Sequence, residues 1–318
     1  MPEKTPTSTH LRPIRIGTRG SKLALAQANW VKGQLESRWP GPVELVVIKT
    51  AGDQLKDVPL ALVGGKGLFV KEIEQALRGV QVDLGVHSLK DLPSALPPEL
   101  CLGAVPARED WRDAFISNKY QRLAEIPPGG RVGTGSLRRR VQLLHLRPDL
   151  EVVPLRGNVD TRLRKMAEMG LDALILAAAG LNRLGLAHLY RGCLPEEEML
   201  PAVGQGALGL EVRRDDGELL EFLSFLDDPA TRAATAAERA FLGRLEGGCV
   251  VPVAGLGRID GNRLTFEALI GDLDGKIILR DCLVGPPAEA ETLGRTLAET
   301  LLARGGQKIL DQLFGPPI

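Results

Sequence analysis

Apolar residues fall in short blocks divided by polar turns, and the period of the blocks changes along the chain. Ile14-Arg15-Ile16 predicts a strand, and Leu23, Ala26, Trp30 and Val31 mark one face of a helix over 23–35. Residues 43–49 predict the next strand, 50–67 a loop, 68–77 an amphipathic helix, and 80–86 an apolar run that empties into His87-Ser88-Leu89-Lys90-Asp91-Leu92-Pro93. Pro93, Pro97 and Pro98 forbid any regular continuation. The same order then recurs: a strand at 131–132, a Gly-rich turn, a helix through Leu146, a strand at 151–156, a helix at 159–169 and a strand at 171–176. From 226 the pattern changes. An Ala-rich helix over 230–245 precedes strands at 250–259, 263–271 and 276–284, joined as hairpins at Gly261-Asn262 and Asp274-Gly275, and 288–303 closes as a helix.

The repetition predicts an α/β fold with two similar periplasmic-binding-protein-like lobes around a cleft, plus a small α+β C-terminal domain with a three-stranded antiparallel sheet. A chain of 318 residues with 44% hydrophobic content has the material for two or three such cores. Forty basic residues balance forty acidic ones, so no bulk charge draws nucleic acid or anionic membrane, and any anion site must be local. The polar opening stretch 1–13 lacks the apolar core of a secretory signal, and no later run approaches a membrane span, which predicts a soluble, cytoplasmic protein. Cys101, Cys193, Cys249 and Cys282 are scattered, giving neither a disulfide framework nor a CxxC metal pattern; Cys101 and Cys282 lie in apolar strand contexts that predict buried thiols.

Four features offer chemistry. Ser88, Lys90 and Asp91 stand at a strand exit, the edge of an open α/β sheet where ligands bind; the competing reading is that Asp91 only caps a turn before Pro93. Gly17-Thr18-Arg19-Gly20-Ser21 and Gly133-Thr134-Gly135-Ser136 each lead into a helix start, whose free N–H groups favour a carboxylate or phosphate. Between 131 and 165 eight arginines meet only three acids. Arg138, Arg139 and Arg140 crowd a helix start, where the dipole disfavours cations unless something negative is held there; Arg156 sits at a strand exit and Arg162 in the next helix, whereas Arg147 and Arg164 suit solvated helix charges. Cys249 follows Gly247-Gly248 past a helix end, where a thiol is accessible, and the four histidines offer it no obvious partner for hydrolase chemistry.

Ile16-Gly17-Thr18-Arg19-Gly20-Ser21, Gly64-Gly65-Lys66-Gly67-Leu68-Phe69, Val86-His87-Ser88-Leu89-Lys90-Asp91, Gly133-Thr134-Gly135-Ser136-Leu137-Arg138-Arg139, Leu155-Arg156-Gly157-Asn158, Pro201-Ala202-Val203-Gly204-Gln205-Gly206 and Glu238-Arg239-Ala240-Phe241-Leu242 with Gly247-Gly248-Cys249 occur in order over nearly the whole chain. Together they resemble the porphobilinogen deaminase family. The resemblance implies a metal-free transferase that joins four porphobilinogen molecules head to tail, releasing ammonia, to give hydroxymethylbilane. It also implies a dipyrromethane cofactor held by a thioether to Cys249, catalysis by Asp91, and anion binding by Arg19, Ser21, Lys66, Ser88, Lys90, Thr134, Ser136, Arg138, Arg139, Arg156, Arg162, Arg183 and Gln205. Leu62 departs from the pattern, since many members carry lysine there. The expected organisation is a lobe from 1–105 completed by 206–225, a second lobe over 106–205, and a C-terminal domain over 226–318. A monomer is expected. A non-enzymatic two-lobed anion-binding protein shares the lobe duplication but gives Cys249 no role, and a thiol hydrolase would give it a histidine partner.

Overall fold

The structure, a computed structural model, describes residues 12–54, 67–245 and 251–314. Ile14–Thr18 (β1) runs into Lys22–Glu36 (α1), followed by Val43–Val47 (β2), Ala51–Gln54 (α2), Lys71–Arg78 (α3), Leu84–Ser88 (β3) and Leu100–Ala104 (β4). β1 pairs in parallel with β2 and β3, through Ile14 beside Val43 and Ile16 beside Leu84. The buried stripe of α1 is Ala24, Gln27, Ala28, Val31 and Leu35, which shares only Val31 with the face predicted above: Trp30 stands 47% exposed. Small Ala24 and Ala28 let the helix approach the sheet closely, and a Trp on that face would hold it off.

A first crossover delivers the chain to Asp113–Ile116 (β5), Arg131–Gly133 (β6), Leu137–Leu146 (α4), Glu151–Val153 (β7), Val159–Glu168 (α5), Ala173–Ala177 (β8), Ala178–Arg183 (α6) and Gly192–Cys193 (β9). A second crossover returns it to the first sheet as Leu208–Arg213 (β10), then Gly217–Leu223 (α7). The sheet orders are β2-β1-β3-β10-β4 and β7-β6-β8-β5-β9. Both are therefore one plan, three parallel strands and then an antiparallel strand that has just emerged from a crossover. Register places the start of β10 against the end of β3, Leu208 beside Ser88, and the start of β5 against the end of β8, Asp113 beside Ala177. Each crossover thus enters at the carboxyl edge of a parallel sheet, where an α/β fold holds its ligands.

Pro229–Arg244 (α8) opens the last part, followed by Val253–Asp260 (β11), Arg263–Gly271 (β12), Ile278–Gly285 (β13), Ala290–Leu301 (α9) and Gln307–Phe314 (α10). The three strands form an antiparallel sheet in sequence order, as tight hairpins require. Phe241 of α8 meets Phe266 of β12 edge-on, 5.6 Å between centroids, in a core closed by Leu297 and Leu301. Two expectations fail in this part. Cys282 is exposed on β13, an edge strand of the sheet, and α10 extends the chain's regular structure beyond the helix at which the sequence pattern stopped.

Candidate active site

A single helical turn, Leu89–Asp91, follows β3. Leu89 and Leu92 are 2% and 3% exposed, so apolar burial pins the turn at both ends and keeps Lys90 and Asp91 at the cleft edge. Asp91 shares a pocket with Arg19, Ser21, Gln27, Phe69 and Ser88. Within it the Arg19 guanidinium stacks 4.1 Å from the Phe69 ring centroid, and buried Gln27 donates from Nε2 to Ser88 Oγ at 2.8 Å. The Ser21 hydroxyl accepts from Ala24 N–H at 3.2 Å and so caps α1, whereas Ser136, at the equivalent start of α4, makes no such side-chain cap. Ser136 instead donates its backbone N–H to Oγ1 of buried Thr134 at 3.2 Å.

In the second lobe the sequence-predicted negative partner of the arginines turns out to be supplied by the chain. Asp113, fully buried at the start of β5, accepts from Arg138 Nη1 at 2.7 Å and from Arg139 Nη2 at 2.7 Å. Arg138 also donates to Leu200 O and Arg139 to Ile175 O. Burial alone would raise the Asp113 pKa, but the two guanidiniums overcome it and hold the carboxyl well below the usual carboxylate range. Two cations on one acid leave a net positive charge. Burial pushes Arg162 of α5 down to about 10, with Arg139 and Arg156 adding to the fall and Asp91 opposing it. Burial likewise lowers Arg156. Nε of Arg138 and Nε of Arg162 are buried without a hydrogen-bond partner among the described residues. A cluster of crowded, desolvated cations is a site prepared for anionic groups.

The two lobes meet through Gln205. Its Nε2 donates to Asp113 Oδ1 at 2.8 Å and to Trp111 O at 2.7 Å, and its Oε1 lies 3.5 Å from Lys90 Nζ. A continuous polar path therefore runs from Lys90 through Gln205 and Asp113 to Arg138 and Arg139. Burial lowers Lys90 to about 8, Asp91 and Asp113 opposing and Arg139 and Arg138 adding to the fall. Gly206, at φ +89°, explains the spacing of the crossover motif: a Cβ there would stand 2.4 Å from Glu109 O, so only glycine lets the two crossovers touch. Arg183, a predicted anion ligand, donates to Gly206 O at 2.8 Å and ties α6 to the same crossover.

Some assignments change on this geometry. Arg140 reaches the C-terminal part, donating to Leu273 O. Arg147 is no mere solvated charge: it pairs with Asp149 and donates to the carbonyls of Leu123 and Ile126. Arg164, 68% exposed with Glu168 as an i,i+4 partner, is one. The sequence reading missed Asp113 and gave Glu238 no role. Glu238, 0% exposed on α8, accepts from Arg108 Nη1 at 2.6 Å in one crossover, from Gly204 N–H at 2.6 Å in the other, and from Gly257 N–H at 2.9 Å in the C-terminal sheet. An acid among Ala234, Ala237 and Phe241 on the apolar stripe of a helix was the available signal. Lys66, Leu62, Cys249 and most of the 50–67 loop lie outside the described residues.

Residues 14–221 match the family domain "Porphobilinogen deaminase, dipyromethane cofactor binding domain", and 233–303 match the porphobilinogen deaminase C-terminal domain. Porphobilinogen deaminase of Syntrophotalea carbinolica is 54% identical over 301 residues, covering 94% of this chain and 96% of that one. That of Geobacter sulfurreducens is 53% identical over 305 residues, covering 96% of each. Among solved structures, the methionine-binding protein MetQ aligns with 67% of this chain and 89% of its own at 15% identity and a TM-score of 0.44. With both family domains matched in order and relatives this similar along almost their full length, the chain belongs to the porphobilinogen deaminase family.

Proposed function

We propose that Asp91 is the catalytic carboxylate, and Cys249 the cofactor attachment point, of a transferase that condenses four porphobilinogen molecules into hydroxymethylbilane with release of ammonia. The observation that carries the Asp91 assignment is its setting. Asp91 stands beside Lys90 and within electrostatic reach of Arg162 from the opposite lobe, at the end of the Lys90–Gln205–Asp113 path. A turn-capping acid has no reason to face a cluster of buried cations.

The donor set fits a dipyrromethane and its carboxylate arms, because Arg138 Nε and Arg162 Nε are buried with hydrogen-bonding capacity unspent. When bound, the dipyrromethane supplies the free pyrrole carbon to which the first substrate unit is joined. Lys90, Arg138, Arg139, Arg156 and Arg162 would hold carboxylate arms, Arg19, Thr134 and Ser136 would flank them at the strand exits and helix starts, and each added substrate unit brings two more carboxylates to be offset. Asp91 accepts hydrogen bonds from pyrrole N–H groups. Its charge stabilises the cation that develops as ammonia leaves, and it takes up the proton released once the new carbon–carbon bond has formed.

The division into 1–105 with 206–225, 106–205 and 226–318 suits this reaction. Two crossovers form a hinge between the lobes, and hinge motion enlarges the cleft as the chain grows. The protein acts as a cytoplasmic monomer, with Cys249 bonded to the cofactor by a thioether. Two measurements test the reading. Intact mass should exceed that of 318 residues by a dipyrromethane, and Cys249→Ser should remove the excess; a bare chain mass would indicate an anion-binding protein instead. Asp91→Asn should keep the fold and cofactor but slow single-turnover elongation on the order of a hundredfold. Elongation at the parent rate returns Asp91 to a turn residue.

A further inference from the structure

Arg239 follows Glu238 on α8, so it belongs to the C-terminal part of the chain, yet its guanidinium ends in the first lobe. It donates to the carbonyls of Leu92 at 3.3 Å, Pro93 at 2.7 Å and Ser94 at 2.9 Å. These are the three residues immediately after Asp91. The segment cannot settle its own carbonyls by regular pairing, because Pro93, Pro97 and Pro98 remove donors and break any ladder. A planar fork of N–H groups is the side chain suited to gather several carbonyls at fixed angles.

A second observation places the same helix face on the same loop. Gly243 is one turn beyond Arg239, and a Cβ there would meet Ser94 Oγ at 3.4 Å and Ser94 Cβ at 3.5 Å. Residues 239 and 243 therefore form the surface on which the loop rests. Burial pushes Arg239 down to about 10, with the Glu211 carboxylate opposing, so a buried acid of β10 helps keep the guanidinium charged. Glu211 in turn lies 3.1 Å from His87 Nε2 on β3, the strand that delivers Asp91.

We infer that Arg239 is a positioning residue for Asp91: by holding the carbonyls of 92–94 it fixes the carboxylate against the cleft, and it links the part of the chain that carries Cys249 to the placement of the acid. The inference rests on the proposed role of Asp91. Leu89 and Leu92 anchor the turn by apolar burial from below, and Arg239 clamps it from the side. A substituted clamp leaves the anion-binding cations of the second lobe untouched, so the loss should appear in turnover and not in substrate affinity.

The test is a double-mutant cycle on cofactor-loaded protein, using Arg239→Gln, Asp91→Asn and the pair. Arg239→Gln should lower kcat tenfold or more with KM within twofold, and in the Asp91→Asn background the same change should cost less than twofold. Hydrogen exchange of the 91–96 amides in the resting protein should be faster in Arg239→Gln, a readout independent of turnover. Arg239→Lys keeps the charge and loses the fork; it should restore part of kcat, and it replaces Arg239→Gln in the cycle if the latter does not accumulate as soluble protein. Additive losses, a rise in KM with unchanged kcat, or unaltered exchange at 91–96 would overturn the inference while leaving the role of Asp91 intact. An active Asp91→Asn single variant would instead overturn the role on which it rests.

Discussion

Arg139 Nη2 sits 2.7 Å from Asp113 Oδ1, deep in the second lobe, and both side chains are 5% exposed or less. Asp113 thereby serves two arginines, and removing it would leave both buried without their acid. Asp113→Ala should destabilise the protein by about 3–5 kcal/mol, the range for breaking a buried ion pair on one side. Denaturant midpoints measure this; a loss below about 1 kcal/mol would show that water enters and screens the pair. The pH dependence has a definite sign. Since the folded carboxyl titrates well below its ordinary value of 3.8, its contribution is complete above that value and is lost as pH falls towards the folded pKa.

Lys90 sets an alkaline limit on binding. Its folded value of about 8, against an ordinary 10.5, means that the ammonium discharges as pH rises through 8, and affinity for a carboxylate substrate should fall there with the slope of one proton. Lys90→Arg should move that limb to higher pH. Stability responds in the opposite direction, because between about 8 and 10.5 the unfolded chain binds the extra proton, so this group makes folding more favourable across that window. An affinity profile that is flat to pH 9.5 would show that Lys90 stays charged or does not touch substrate.

The arginines separate by role. Arg156→Leu should weaken substrate binding by about tenfold to a hundredfold, the equivalent of about 1.5–3 kcal/mol for a charge-assisted contact, with little change in melting temperature. Arg147→Leu should do the reverse, because the Arg147 guanidinium is spent on Asp149 and the carbonyls of Leu123 and Ile126. Arg164→Leu, on an exposed i,i+4 pair, should change neither beyond about 0.5 kcal/mol. Calorimetric titration and thermal melts on the three variants decide this, and equal binding losses in all three would mean a diffuse field in place of a site.

The sequence alone determined the elements and the places where they end. Period, glycine and proline marked the strand exits that carry Arg19, Ser88, Asp91 and Arg156, because helix and strand periodicities and turn chemistry act over only a few residues. The hairpins at Gly261-Asn262 and Asp274-Gly275 were legible for the same reason, and both join the strands observed. Cys249 and Lys66 were assigned by motif and stand on that footing. What tertiary structure alone decided is which charge meets which. Asp113 reads in sequence as an ordinary acid before an apolar strand; only the antiparallel placement of β5 beside β8 in the second sheet carries it to Arg138 and Arg139. Glu238 and Arg239 are neighbours on one helix, yet one fastens both crossovers and the other clamps the loop after Asp91, across more than 140 residues of chain. Pairings over such separations depend on how the sheets are threaded and on which groups lose their water together, and neither is written in a local pattern.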